Sequence, residues 1–295
     1  MAQLTDEERE RIQQEMAEGA QQQEGPQMFE TSDLAEIHRV IGVVSGKGGV
    51  GKSMVSGMLA VELARAGHSV GILDADVTGP SIPKMFGLSN TLLSALDDNI
   101  VPATTAGGIK VVSTNLMLRH EDDPVVWRGP VIAGAIQQFW GQTAWGNLDY
   151  LICDMPPGTS DVALTIFQSI PVEGLVVVTS PQDLVQVVVG KALNMAAMME
   201  VPVLGLVENM SYATCPDCGR RIEVFGPSHI EETAAHFHLP VLGRLPIDPA
   251  LAAAADSGRI EQDLPQGMLP DAVSLAESLP DMLAERMRGA VEGEG

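Results

Sequence analysis

The chain has 295 residues, enough for one large α/β domain or two small ones with a sizeable buried core. Its 39 acidic against 17 basic side chains give a formal net charge of −22. Such a surface repels phosphate backbones and anionic membranes, so neither nucleic acid nor membrane is expected as a partner. Three cysteines make no disulfide framework, the N-terminus lacks an apolar signal stretch and no uninterrupted apolar span occurs, so a reducing, cytoplasmic setting is expected.

Residues 1–38, rich in Gln and Glu, predict a mobile polar lead-in that buries little surface. From Arg39 onward, short apolar runs alternate with amphipathic stretches. The predicted strands are "VIGVVS", "SVGILDAD", "IKVVST", "DYLICDM", "GLVVVTS", "PVLGLVEN" and "PVLGRLP"; helices are predicted over 52–66, 130–140, 161–169, 183–200 and 231–237. Near-continuous Val, Ile and Leu strands belong in a parallel sheet covered on both faces. The alternation without a long linker predicts one doubly wound, mostly parallel α/β domain over 39–288. Its last stretch, "DAVSLAESLPDMLAERMRGAVEGEG", reads as a helix interrupted at Pro280 and then an acidic tail, 289–295.

The first predicted strand runs into "SGKGGVGKS", which fits two phosphate-binding fingerprints. Gly46, Gly48 and Gly51 spell the G-x-G-x-x-G of a dinucleotide turn, and Asp74 supplies the acidic residue that reading also needs. Gly46, Gly51, Lys52 and Ser53 spell the G-x-x-x-x-G-K-S of a P-loop triphosphatase. The lysines decide for the P-loop. Lys52 is placed to reach the β- and γ-phosphates and the Ser53 hydroxyl to bind Mg²⁺, whereas a dinucleotide turn has no use for two lysines. Downstream, "LDYLICD" ends in Asp154, a strand-end carboxylate for the magnesium shell, and "MPPGTSD" supplies the Gly158 amide as a γ-phosphate sensor. Asp74 and Asp76 fall at the C-terminal edge of the second strand, where doubly wound sheets place ligands. Asp74 is assigned to the metal and Asp76 to orienting the attacking water.

Lys47 adds a second lysine beside the first glycine. In this the loop resembles the deviant Walker A motif of the MinD/ParA/nitrogenase-reductase class. That resemblance implies that Lys47 reaches the nucleotide of a facing subunit, as an arginine finger does.

Cys215 and Cys218 form a C-x-x-C within residues 209–226, after the sixth predicted strand. Two thiolates are half of a tetrahedral thiolate site. Four readings follow from the residues: a twofold axis that brings two such pairs together, an intrachain zinc site completed by His229, His236 or His238, a thioredoxin-like redox pair, and an inert loop pair. Cys153, in an apolar run, reads as a small core residue.

"SGKGGVGKS", "LDADVTGPSIPKMFG", "YLICDMPPGTSD", "VENMSYATCPDCG" and "GRLPIDP", in this order and spacing, resemble the Mrp/ApbC family of iron–sulfur cluster carrier ATPases, from about Arg39 to Pro265. The resemblance implies a P-loop ATPase fold and a homodimer that bridges a [4Fe–4S] cluster through Cys215 and Cys218 of each chain. It also implies ATP binding, slow hydrolysis and delivery of the cluster to apo-proteins alongside the cluster assembly machinery. By the same resemblance Gly48, Gly49, Val50, Gly51, Lys52, Ser53 and Met54 wrap the phosphates and Asn209 contacts adenine. This sequence departs from the family in a lead-in without cysteine, in Met54 where a Thr is common, and in Cys153 at a usually aliphatic position. Two other functions share the loop. A MinD/ParA-type positioning ATPase needs a basic amphipathic C-terminus or DNA patch, whereas this chain ends acidic. An ATP-dependent electron-transfer reductase of the nitrogenase-reductase kind spaces its ligand cysteines far apart, not as C-x-x-C.

Overall fold

Seven apolar runs of the chain become parallel strands because helices shield both of their faces from water. A computed structural model describes residues 29–292 apart from 77, 78, 80, 90, 118–128, 159–160 and 182–184; most of the polar lead-in and residues 293–295 of the tail lie outside it. The first half runs β1 (Ala35–Ser45), α1 (Lys52–Arg65), β2 (Val70–Asp74), α2 (Ile82–Met85), β3 (Ser94–Leu96), β4 (Asn99–Val101), β5 (Ala103–Thr104), β6 (Lys110–Ser113), α3 (Gly129–Gly141) and β7 (Gly146–Asp154). It continues with α4 (Asp161–Ser169), β8 (Gly174–Thr179), α5 (Val185–Met198), β9 (Val203–Thr214), β10 (Arg221–Ile222), α6 (Ile230–Phe237), β11 (Val241–Ile247), α7 (Pro249–Asp256), α8 (Ile260–Asp263) and α9 (Pro270–Glu292).

The main sheet is ordered β10-β9-β8-β1-β7-β2-β6-β5, with β11 also on β9. It is parallel except for β5 and β10. Alternate residues of β1 feed opposite cores. Ile41 and Val43 pack with α1, α7 and α9, while Val40 and Val44 pack with α3, α4 and α5. The chain leaves β1 for β2 on one side of β7 and takes up β8 on the other, so the end of β1 is a topological switch point. The glycine loop sits there, where open α/β sheets bind ligands. No described helix is long and apolar enough to cross a membrane.

The structure changes two sequence expectations. β1 begins at Ala35, inside the expected lead-in, because Ala35, Glu36 and Ile37 pair with Gly146, Asn147 and Leu148 of β7. That outer end of β1 is only partly covered, so it lacks the apolar run that marked the rest. Helix α9 passes through Pro280 without interruption. Proline removes the amide that would bond the carbonyl four residues back. Here the orphaned Ala276 carbonyl accepts the Tyr150 hydroxyl at 3.3 Å instead. Tyr150→Phe is therefore expected to destabilise the protein by about 1–3 kcal/mol, the usual result of stranding a buried polar group. A urea titration checks it, and in a Pro280→Ala background, where the helix amide returns, the same change is expected to be smaller.

Candidate functional site

β1 delivers the chain to Ser45 at the sheet edge, and the loop that follows turns tightly enough to start α1 at Lys52. Gly51 caps that helix at φ 80°, a left-handed conformation, and no side chain bonds its first amides. Those amides remain available to an anion, which the helix dipole also favours. Gly51 is glycine for a second reason: a Cβ there would lie 2.1 Å from Asn209 Nδ2. The loop opens on a cleft of about 510 Å³ lined by Gly48, Gly49, Gly51, Lys52, Ser53 and Met54, faced by Asp76 and Pro157. Gly46 and Lys47 stand half-buried at the head of the loop, and Val50 turns into the core.

Asp154 ends β7, next to β1, and is fully buried. Its Oδ1 accepts Lys52 Nζ at 2.8 Å and the Ser56 hydroxyl at 2.6 Å; its Oδ2 accepts the Ser53 hydroxyl at 2.6 Å. Lys52 Nζ also lies 3.7 Å from Asp76 Oδ2. The Walker lysine, the P-loop serine and two of the predicted carboxylates therefore converge, as the sequence required. Ser56 was missed. Its signal was present in "KSMVS", a hydroxyl one helical turn after Lys52 and so on the same face.

Asp74 ends β2 directly beside Asp154 in the β2–β7 register. It is fully buried, accepting the Ser113 hydroxyl at 3.0 Å and the Asp76 amide at 3.3 Å. Burial first, and then the charge of Asp154, raise its pKa to about 8, against the opposing pull of Lys52 and Ser113. Asp74 thus stands behind Asp154 as a carboxylic acid. Among the described residues no group of three or more His, Cys, Asp or Glu side chains is arranged to hold a metal ion. A cation in this cleft must take its remaining ligands from water or from a bound phosphate.

Two residues expected at the nucleotide are bonded within the protein. The Gly158 amide donates to the Ser45 carbonyl at 2.8 Å, so it is occupied within the protein and not turned to a γ-phosphate. Asn209 is buried against the glycine loop: its Nδ2 donates to the Val50 carbonyl at 3.0 Å and its Oδ1 accepts the Met210 amide at 2.9 Å. One amide proton remains for a base.

Both loop cysteines lie at the far end of β9. The turn closes by Cys215 N donating to Arg220 O and Gly219 N to Cys215 O, each at 2.9 Å, and β10 then pairs back on β9. The amides of Cys218 and Asp217, and the Cys218 thiol, hydrogen-bond the Cys215 sulfur and hold its pKa below the usual thiol value. Cys215 is half-buried and Cys218 exposed. Cys153 is the opposite case, fully buried in the core with its pKa raised to about 12 by desolvation and then by Asp154. The histidines considered for zinc do not join the pair: His229 Nδ1 lies 3.2 Å from Glu232 Oε2, and His238 closes α6 at φ 55°.

A carboxyl with a raised native pKa binds its proton more tightly when folded, so its contribution weakens as pH rises from its usual 3.8 through about 8. The nucleotide-free protein is therefore expected to lose thermal stability across that window. Asp74→Asn, neutral at every pH, is expected to flatten the dependence and raise Tm at the alkaline end, as melting curves taken through the window will measure.

The family model described as ParA, NUBPL iron-transfer P-loop NTPase, matches residues 36–275. A protein of Clostridium perfringens named iron-sulfur cluster carrier protein is 48% identical over 238 residues, covering 78% of this chain and 84% of its own length. One of the same name from Saccharolobus solfataricus is 47% identical, covering 76% of each. Among solved structures, a nucleotide-binding protein from Archaeoglobus fulgidus in complex with ADP is 44% identical with a TM-score of 0.71, over 78% of this chain and 90% of that one. The cell division ATPase MinD of Pyrococcus furiosus, 22% identical with a TM-score of 0.53 over 83% of this chain and 99% of its own, shares the fold. With the glycine loop, its lysine and its strand-end aspartate already in place, the match over residues 36–275 makes the chain a member of the NUBPL iron-transfer P-loop NTPases of the ParA family.

Proposed function

We propose that the chain is an ATP-hydrolysing iron–sulfur cluster carrier that holds a [4Fe–4S] cluster across a homodimer and passes it to apo-proteins. The observation that carries this reading is the placement of the two loop thiols: half-buried Cys215 and exposed Cys218 stand together at the turn between β9 and β10. One chain offers two such sulfurs, and a cluster takes four. A second copy brought tip to tip supplies the other pair. The charge of −22 argues against nucleic acid and anionic membrane as partners, and a cytoplasmic setting would keep the thiols reduced.

At the nucleotide site, Lys52 leaves Asp154 for the β- and γ-phosphates of ATP, while the free amides at the start of α1 hold the remaining oxygens. The Ser53 hydroxyl and Asp154 carboxylate are hard oxygen donors that fit Mg²⁺, with Asp74 behind them. The metal would neutralise phosphate charge. Asp76, at the rim of the cleft, orients the attacking water, whose oxygen bonds to the γ-phosphorus as the bond to the ADP oxygen breaks. Lys47 of the facing subunit offsets the charge that spreads over the transferring group. A Gly158 contact to the γ-phosphate would require the bond to Ser45 to open, and Asn209 keeps one proton for adenine.

Lys52→Ala is expected to abolish nucleotide binding and turnover. Lys47→Ala is expected to keep binding but lower kcat by about 10²-fold, the usual result of removing one transition-state donor. Calorimetric titration and steady-state kinetics separate the two; equal losses of affinity and rate in both would remove the intersubunit role.

Anaerobic reconstitution is expected to give a brown dimer with iron and sulfide matching one cluster, and Cys215→Ala or Cys218→Ala to lose the colour. A colourless, zinc-loaded wild type, or a monomer that retains its cluster, would overturn the reading.

A further inference from the structure

Glu208 belongs to neither centre described above, yet it is a fully buried carboxylate in the middle of an apolar strand. It is the last residue of β9 to pair with β8, opposite Thr179. Its Oε2 accepts the Ser211 hydroxyl at 2.5 Å and lies 3.6 Å from Arg244 Nε; its Oε1 accepts the Ser228 hydroxyl at 2.9 Å. Arg244 Nε also donates to Ser211 Oγ at 3.1 Å. Ser211 stands where the chain departs for the cysteines. Ser228 stands where it returns, accepting the Ile230 amide as α6 begins. One carboxylate therefore ties both feet of the excursion that carries Cys215 and Cys218. Beyond those feet, the β9–β10 ladder holds it by Arg221↔Thr214 and Ile222↔Ala213.

The next residue is Asn209, which grips the Val50 carbonyl of the glycine loop. Here β9 bulges. Against β11 its register passes from Arg244↔Glu208 to Pro246↔Tyr212, so the extra residues fall within Asn209, Met210 and Ser211. Met210 takes φ 56°, a conformation that a residue with a Cβ keeps only under constraint. Bulges of this kind re-aim side chains beside active sites. The contact to the glycine loop has no slack, since the space a Gly51 Cβ would need is filled by Asn209 Nδ2. Hydrogen bonds join the glycine loop to Asn209 and Glu208 to both feet of the cysteine hairpin, and the backbone of the bulge connects the two sets.

We propose that Glu208 is a positioning residue for the C-x-x-C hairpin, and that through the bulge at Asn209 it transmits occupancy of the nucleotide cleft to Cys215 and Cys218. Phosphate binding redirects the amides of the glycine loop, and the Val50 carbonyl moves with them. The constrained bulge is the element with a second arrangement available, because Met210 relaxes when Asn209 shifts. The inference rests on the carrier reading only for the cargo; nucleotide and thiols suffice to test it.

The test uses the full-length, cluster-free protein under anaerobic reducing conditions. Iodoacetamide alkylation of Cys215 and Cys218 is timed by mass spectrometry without nucleotide, with Mg-ADP, and with Mg²⁺ and a non-hydrolysable ATP analogue. Fully buried Cys153 reports global opening in the same digest. In the wild type the analogue is expected to change the rate at the pair by about fivefold or more, the low end of ordinary coupling between sites. Glu208→Gln keeps the shape but not the pairing with Arg244, and is expected to abolish that nucleotide dependence while leaving KM and kcat for ATP unchanged. Ser228→Ala removes one hydrogen bond to Glu208 but keeps its charge and its approach to Arg244, and is expected to reduce the dependence; it decides the matter should Glu208→Gln fail to fold. Alkylation indifferent to nucleotide in the wild type, or a full response retained in the folded variants, overturns the proposal. Iron analysis remains separate: a zinc protein with responsive thiols would sink the carrier reading and leave this inference standing.

Discussion

One ammonium group, Lys52 Nζ, stands among three carboxyl groups at the ends of β2 and β7 and just beyond. It lies 2.8 Å from Asp154 and 3.7 Å from Asp76, with Asp74 paired beside Asp154. Buried charges persist only when they are paired or relinquish their charge. Asp154 is satisfied by Lys52 and two serine hydroxyls; Asp74, with a hydroxyl and an amide, keeps its proton instead. The resting site is thus balanced without a nucleotide, but only by using the lysine the nucleotide needs. A triphosphate entering alone would take Lys52 and leave Asp154 uncompensated in the core. On the proposed reading, Ser53 and Asp154 would hold a divalent cation entering with the nucleotide, and its charge would offset that cost.

The same constraint explains why the polar groups of the cleft come from strand ends and not from long loops. Parallel pairing of β1, β7 and β2 brings Ser45, Asp154 and Asp74 to one edge of the sheet. The apolar runs that end in these residues are held from both faces, so the carboxylates cannot retreat from one another. In a chain of charge −22, the positive field for an anion comes from Lys52, Lys47 and the open amides at the start of α1.

Much of this was legible because the strands are almost uninterrupted Val, Ile and Leu and the glycine loop has few chemical uses. What escaped has a physical reason in each case. The outer end of β1 is only partly buried, and its short alternation of apolar and polar residues lacks the continuous apolar run that marks the other strands. Helices α2, α7 and α8 are short, and the first two carry Pro at their start, which reads equally as a turn. Pro280 signalled a break because the compensating donor, Tyr150, is distant in sequence. The bond from Asn209 to the Val50 carbonyl escaped because its two partners are distant in sequence. Glu208 passed unremarked in "GLVENMSY", although a charged residue within an otherwise apolar buried strand is the kind of exception that needs partners.

The three cysteines show how far environment outweighs residue type. Cys153 and Cys215 start from the same thiol chemistry, but burial beside Asp154 raises the first to about 12 while donated amides lower the second. Cys153 lies fully buried, whereas half-buried Cys215 and exposed Cys218 stand together at one turn, so the loop pair is the one open to a ligand from outside. Cys218, exposed at the same turn, adds its sulfur but cannot close a four-ligand site with Cys215 alone. No described histidine or carboxylate comes near enough to complete it. The incompleteness of the hairpin and its attachment to β9 then have one consequence in common. Whatever fills the remaining ligand positions must approach an exposed tip, and the strand behind that tip is the one whose bulge holds the nucleotide loop. Access to the thiols and the state of the cleft are therefore properties of a single strand.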